Sequence, residues 1–210
     1  RTPYVLRAPN PPRASIGIDP GKEGAIVLVV DLQIRWAIWW KPAQSEKRQG
    51  FRSWIWEHGE TSNRWASTWT HAIGWTITMP DTLAATVEAV HGQPGKSGFE
   101  VLAEYAGRAL GWLEELEIPI TERPTSTKWR ADVLGLPSST SADVAERVAI
   151  DTLLGRPSGG RAITIAAPLT GPMPDDLNGH VAEAALMALW GAGYRAQPET
   201  VTTPGKRGGR

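Results

Sequence analysis

The sequence predicts an α/β protein with a mixed five-stranded sheet flanked by helices. The first observation is that short runs of β-branched and aliphatic residues come first and are joined by Pro-Gly and Gly turns, as in an antiparallel hairpin. The second is that segments with apolar residues every three or four positions then alternate with short apolar runs, which indicates helices between strands. Together these patterns favour a layered domain.

Five strands are predicted in chain order. The first two form a hairpin around Pro20-Gly21 and Gly24, and the third follows directly after Asp31. The fourth is almost wholly apolar, and the fifth is short. Their expected ranges are 14–19, 25–30, 34–40, 83–90 and 119–122.

Apolar periodicity predicts a long amphipathic helix from Gly98 to about Glu117. One or two further helices are expected between residues 41 and 80, the clearer of them over 62–75. Three more helices are expected later in the chain, over 125–134, 141–154 and 177–190, and a long irregular connection is expected over 156–174.

Three parts are expected along the chain. Residues 1–13 contain four prolines and three arginines and are predicted to form an extended arm. Residues 14–195 are predicted to form one domain with a Trp-rich insert around 41–80, where most tryptophans should be core anchors. Residues 196–210 form a basic, glycine-rich tail that is predicted to be disordered.

The composition excludes several kinds of site. Without cysteine there is neither a disulfide framework nor a thiolate zinc site, so a metal would need oxygen and imidazole ligands, which favours hard cations such as Mg²⁺. Lys plus Arg and Asp plus Glu both number 22, so a DNA-binding face would depend on local charge placement. No apolar run reaches the roughly 18 residues of a membrane span, and a soluble, intracellular protein is expected.

Two carboxylates lie where a cation could approach. Asp19 ends an apolar strand before a Pro-Gly turn, although on this segment alone a turn-forming Asp is an equal alternative. Glu88 lies within the apolar run 83–90, where a buried carboxylate is costly unless it is paired or bound to a metal. The alternative for Glu88 is a solvated sheet edge.

His180 and Glu183 are three residues apart, so on a helix they share one face. This spacing suits metal ligation, but it also fits an ordinary first turn capped by Asn178. Three carboxylates and one imidazole could hold two divalent cations about 3.5–4 Å apart, the arrangement that activates water in phosphodiester cleavage.

In this order the motifs resemble the RuvC family of Holliday-junction resolvases, in particular its phage-like members, within the ribonuclease H-like superfamily. The resemblance spans about residues 14–192 and rests on Ile16-Gly-Ile-Asp-Pro-Gly21, Val87-Glu88, Pro94 to Gly98, Gly107, Ile118-Pro119, Lys128-Trp129 and His180-Val-Ala-Glu183. It implies a ribonuclease H-like fold and a homodimer that binds four-way branched DNA and nicks two symmetric strands with two Mg²⁺ ions, for which Mn²⁺ substitutes. It also implies a cytoplasmic protein, in the host cytoplasm if phage-encoded.

The resemblance assigns roles to individual residues. The implied metal ligands are Asp19, Glu88, His180 and Glu183. Lys128 matches a lysine near the scissile phosphate, where a cation neutralises developing charge. The expected DNA-contacting residues are His91, Lys96, Lys128, Arg130, Arg48 and Arg52.

Two positions depart from the family. His91 stands where cellular members place a larger aromatic wedge, and Ser138-Ser139-Thr140-Ser141 replaces a second lysine. The Trp-rich insert is the candidate for the missing basic support, since its arginines lie among aromatic residues.

Three alternatives stay open. One is a module that binds branched DNA without cleaving it, and another is a nuclease of the same fold that acts on other branches. The third is an actin-like ATPase or sugar-kinase fragment, because Asp19-Pro-Gly-Lys-Glu-Gly24 is compatible with a phosphate loop. The chain length argues against this third class, which needs two domains.

Overall fold

A seven-stranded mixed sheet lies at the centre of the computed structural model, in the order β6-β5-β4-β3-β2-β7-β8. The structure describes residues 4–7, 14–45, 48–57, 59–68, 83–90, 98–156, 165–166, 169–174 and 177–198. The strands of this sheet are β2 (Ala14–Asp19), β3 (Gly24–Val30), β4 (Gln33–Ser45), β5 (Arg48–Glu57), β6 (Glu60–Ala66), β7 (Ala84–Val87) and β8 (Ile120–Glu122).

The direction of the strands changes at β2. From β2 to β6 each strand pairs antiparallel with the next, whereas β7 pairs parallel with β2 and β8 pairs parallel with β7. Strands β2 and β3 are buried along almost their whole length, as expected of strands covered on both faces. The predicted mixed α/β class is therefore confirmed.

The predicted number of strands is wrong, because a β-hairpin extends the sheet at one edge. All five expected strands are present as β2, β3, β4, β7 and β8, but β5 and β6 add two more. The helices expected between residues 41 and 80 are absent from the described part of that segment, and 62–66 belongs to β6. Trp, Ile and Thr favour β-strands, and in β5 and β6 this preference outweighs the weak helical pattern of the sequence. Residues 69–82 lie outside the described part.

Four helices lie close to their predicted ranges. They are α1 (Phe99–Glu115), α2 (Ser126–Leu134), α3 (Ala142–Leu153) and α4 (Gly179–Gly191). The Thr125 side chain accepts a hydrogen bond from the Lys128 amide and caps α2, and Asn178 caps α4 through the Val181 amide. None of the described helices is long and apolar enough to cross a membrane.

Helices cover both faces of the sheet. On one face α1 packs on Ile16, Ile18 and Ile38, and on the other α2, α3 and α4 pack on Ala25, Val27 and other small residues. Helix α4 is buried on almost all sides and runs directly against β2. This contact places the first turn of α4 beside the end of β2.

A second, three-stranded sheet joins distant parts of the chain. Strand β1 (Tyr4–Arg7) lies between β9 (Ile165–Ala166) and β10 (Arg195–Pro198). The predicted arm therefore contains a paired strand, and the predicted start of the tail at residue 196 falls within β10. Within the predicted irregular connection, β9 is a two-residue strand. The division of the chain into arm, domain and tail otherwise stays a prediction.

Candidate active site

Four side chains from three elements converge at the carboxyl end of β2. Asp19 is the last residue of β2, and Glu88 directly follows β7, which runs parallel to β2 and ends at the same edge. The Glu88 amide donates to the Ile18 carbonyl over 3.1 Å, which fixes this edge. His180 and Glu183 come from the first turns of α4, and all four side chains line one open pocket.

Asp19 and His180 form one close pair in the pocket. The distance from His180 Nδ1 to Asp19 Oδ2 is 2.6 Å, across 161 residues of sequence. Burial would lower the pKa of His180, but the hydrogen bond with Asp19 and the negative charge of that carboxylate raise it to about 9. The imidazole is therefore a cation at neutral pH, and it must lose a proton before it can ligate a metal.

Glu183 is the most deeply buried of the three carboxylates, with 3% of its surface exposed. Arg130 of α2 contacts it, with Arg130 Nη2 2.5 Å from Glu183 Oε1. Burial raises the pKa of Glu183 to about 8, and the negative charge of Asp19 adds to this effect, which Arg130 only partly offsets. A buried carboxylate with too little compensating charge is a position that attracts a cation.

Glu88 is held by an indole. Trp129 Nε1 donates to Glu88 Oε2 over 3.0 Å, and Trp129 itself is fully buried. Burial, with the charge of Asp19 as the second cause, raises the pKa of Glu88 to about 7. Trp129 thus fixes one oxygen of Glu88 and leaves the carboxylate beside Asp19.

The donor set suits a hard divalent cation, but its present arrangement is one of two ion pairs and a hydrogen bond. Among the described residues, no group of three or more His, Asp or Glu side chains is arranged to hold a metal ion. The physical reason is that each ligand faces a protein partner, since Asp19 contacts His180, Glu183 contacts Arg130 and Glu88 contacts Trp129. All four side chains line the pocket, and oxygen with imidazole is a donor set that magnesium and manganese accept.

The sequence did not reveal every group in this pocket. Glu146 of α3 lines it, and a Cβ atom at Gly179 would lie 2.5 Å from Glu146 Oε2, so α3 and α4 approach closely here. The negative charge of Glu146 also raises the pKa of His180. The available signal was an acidic residue next to the buried positions Ala145 and Ala149 of an amphipathic helix.

Of the other predicted residues that the structure describes, only Arg130 lines the pocket. The exposed Lys128 side chain pairs with Asp132, with 3.1 Å between Nζ and Oδ2, and Lys128 is not among the described residues that line the pocket. Arg52 is exposed on β5, and Arg48 belongs to the same strand. His91 and Lys96 lie outside the described residues, and their roles stay predictions.

A comparison with solved structures finds several matching chains. The chain is similar to a Thermus thermophilus RuvC structure. The two are 13% identical, the match covers 88% of this chain and 99% of the other, and the TM-score is 0.37. No protein-family model and no curated protein matches the sequence. A TM-score of this size assigns neither fold nor function, so the function must be argued from the pocket.

Proposed function

We propose that this protein is a metal-dependent endonuclease of ribonuclease H-like fold that resolves four-way DNA junctions. The observation that carries the proposal is the convergence of Asp19, Glu88, His180 and Glu183 in one pocket, at the carboxyl end of parallel strands. In the sequence they belong to three distant segments, because only His180 and Glu183 are close neighbours. An unrelated fold would have no reason to bring them together.

The order of strands supports the proposed fold. Three antiparallel strands (β4, β3 and β2) are followed across the sheet by two parallel strands (β7 and β8), with helices on both faces. This is the mixed five-stranded sheet that the sequence resemblance predicts, and β5 and β6 are an addition at its edge. The homodimer and the four-way junction enter the proposal from the sequence resemblance.

Asp19, Glu88 and Glu183 would hold the divalent cations, with His180 as the fourth ligand. Bound cations of this kind activate water and stabilise the leaving oxygen in phosphodiester hydrolysis. Trp129 keeps Glu88 oriented toward Asp19, and Arg130 holds Glu183 while it provides a positive charge at the pocket wall. His180, protonated in the ion pair with Asp19, would have to release its proton to solvent in order to serve as a ligand.

The test is cleavage of a synthetic four-way junction and of a linear duplex of the same sequence, each with Mg²⁺ or with chelator. Paired, Mg²⁺-dependent nicks in the junction alone are expected. Asp19→Asn should abolish cleavage and preserve junction binding, because it weakens metal binding without removing the surface that contacts DNA. Near-normal cleavage by this variant would disprove the site assignment.

Two of the alternatives predict different results. Junction binding by the wild-type protein without nicks in any metal would indicate a binding module. Phosphate release from ATP without DNA cleavage would indicate an ATPase.

A further inference from the structure

Strand β4 and the hairpin of β5 and β6 carry cations and indoles on one face of the sheet, in two neighbouring cross-strand rows. Lys41 lies opposite Arg52, and Arg52 lies opposite Trp65, which makes one cross-strand row. In the adjacent row on the same face, Trp39 lies opposite Trp54. We call Lys41, Arg52, Trp54 and Trp65 the aromatic platform.

This platform is on the same face of the sheet as the carboxylate pocket. Asp19 lies opposite Ala25, and Ala25 lies opposite Trp39, so one cross-strand row connects Asp19 with Trp54. Trp54 is three strands from Asp19, or about 14 Å at the usual strand spacing. The row of Lys41 and Trp65 is two residues further toward the edge at which β2 ends. The distance corresponds to a few nucleotides of an extended strand.

The indoles of the platform are fixed in position before any ligand binds. Trp39 and Trp54 stack with their ring centroids 6.2 Å apart and their planes 8° from parallel. Lys41 Nζ lies 5.3 Å from the centroid of the Trp54 ring, at cation–π distance. Trp65 lies over Gly50, where a Cβ atom would be 2.7 Å from Trp65 Cζ2.

The platform is also open and positively charged. Lys41 and Arg52 are exposed, and 43% of the Trp65 surface is accessible, which is unusual for a side chain of this size. The described residues on this face of β4 to β6 include no acidic side chain, since Glu57 and Glu60 point to the opposite face. Helix α4 packs mainly on β2 and β3. Trp54 is half-buried against the core, whereas Lys41, Arg52 and Trp65 are exposed.

We infer that the aromatic platform binds an unpaired DNA strand that continues from the carboxylate pocket. This inference rests on the proposed nuclease function, because it takes the occupant of the pocket to be a phosphodiester strand. Exposed indoles stack on bases only where those bases are unpaired, and neighbouring cations contact the phosphates between them. The positive charge argues against an apolar protein surface, and the indoles beside the cations favour a nucleic-acid strand over an acidic protein surface, because only the strand offers bases as well as phosphates.

The test measures binding of fluorescein-labelled oligo-dT by anisotropy, in chelator so that no cleavage occurs. Trp65→Ala is expected to weaken binding by roughly 5- to 100-fold, the usual effect of losing one base–aromatic stack, whereas Trp65→Phe keeps most of the affinity. Leu116→Ala is the matched control, because Leu116 is an apolar side chain with the same exposed fraction of 43%. It should bind like the wild type.

The cations are tested through the salt dependence of the same binding. Lys41→Gln and Arg52→Gln should each reduce the slope of log affinity against log salt by about 0.7, the value for one lost phosphate contact on a single strand. Arg35→Gln removes an exposed cation from β4 outside the platform and should leave the slope unchanged. Both side chains are exposed, so these variants keep the inference testable if Trp65→Ala does not fold.

Unchanged oligo-dT affinity in Trp65→Ala and an unchanged salt slope in both cation variants would overturn the inference. Loss of self-association in Trp65→Ala without loss of DNA binding would also overturn it, since the face would then join two copies of the chain. If the platform is wrong and the nuclease proposal is right, Trp65→Ala still nicks the junction normally. If the nuclease proposal is wrong, no wild-type cleavage is seen, whatever the oligo-dT result.

Discussion

Arg130 and Lys128 lie two residues apart on α2, yet they face different surroundings. Arg130 contacts the buried Glu183 and lines the pocket, whereas Lys128 pairs with Asp132 and lies near the Trp190 ring. Residues two apart on a helix point in nearly opposite directions, so only one of them can face the site. Sequence reasoning gave the catalytic role to Lys128 because the family resemblance runs through that residue.

Substitutions at Arg130 and Lys128 should affect cleavage to different extents. Arg130→Gln removes a positive charge from the pocket wall and leaves Glu183 buried without its partner, so junction cleavage should fall on the order of 100-fold. Lys128→Gln removes only an exposed ion pair and should have a much smaller effect. Initial cleavage rates under saturating Mg²⁺ measure both. A larger loss in Lys128→Gln would mean that α2 turns its other face to the substrate.

The four proposed ligands were predictable from the sequence to different degrees. Asp19 before a Pro-Gly turn and Glu88 in an apolar run are local signals, and the three-residue spacing of His180 and Glu183 depends only on helix geometry. The ion pairs that now hold Asp19 and Glu183 were not predictable, because they join α4 with β2 and α2. Glu146 was missed for the same reason.

At the scale of elements, the position of the site depends on how closely β2 and α4 approach. A Cβ atom at Gly17 would lie 1.8 Å from the Ala184 carbonyl oxygen and 2.5 Å from the Ala188 amide nitrogen, so only glycine fits. The Ser15 hydroxyl donates to the Ala188 carbonyl over 2.8 Å on the same face of β2. These contacts fix the position of α4 along β2, and therefore the position of His180 and Glu183 relative to Asp19.

Gly17→Ala is therefore expected to destabilise the protein by about 1–3 kcal/mol or more, because backbone atoms must shift to admit the methyl group. The matched control is Gly107→Ala on α1, where an added Cβ atom meets nothing within 4 Å. That variant should be stabilised by about 0.5–1 kcal/mol, since alanine is the better helix former. Urea unfolding measures both free energies, and a neutral Gly17→Ala would show that β2 and α4 are further apart.

Elements with a clear apolar period were predicted well, and the Trp-rich hairpin was not. In β5, buried and exposed positions are mixed around Trp54, Ile55 and Trp56, because both faces of the extension carry indoles. A strand of this kind shows no simple alternation. The segment is a strand because it pairs with β4, and a local sequence pattern does not reveal this pairing.

Across the whole molecule, acidic and basic side chains are grouped in different places. The formal net charge is zero, but the acidic pocket and the cationic platform lie on one face of the sheet. The pairing of β1 with β9 and β10 closes contacts across most of the chain length, and no local sequence signal predicts contacts of such long range. The sequence thus predicted the five central strands, and the roles that it assigns to the four pocket residues stay predictions. It predicted neither β5 and β6 nor the small second sheet.

Anomalous diffraction from crystals soaked in Mn²⁺ shows directly whether the proposed pocket binds divalent cations. The pocket is formed by Asp19, Glu88, His180 and Glu183. Protons compete for these ligands, because the pKa of Glu183 is raised to about 8 and that of His180 to about 9, so the soak is best made near pH 9. We predict two anomalous peaks between the three carboxylates, with the contact between Asp19 and His180 broken, and their loss in Asp19→Asn. An ordered pocket without a peak, in which Asp19 still contacts His180, would contradict the claim.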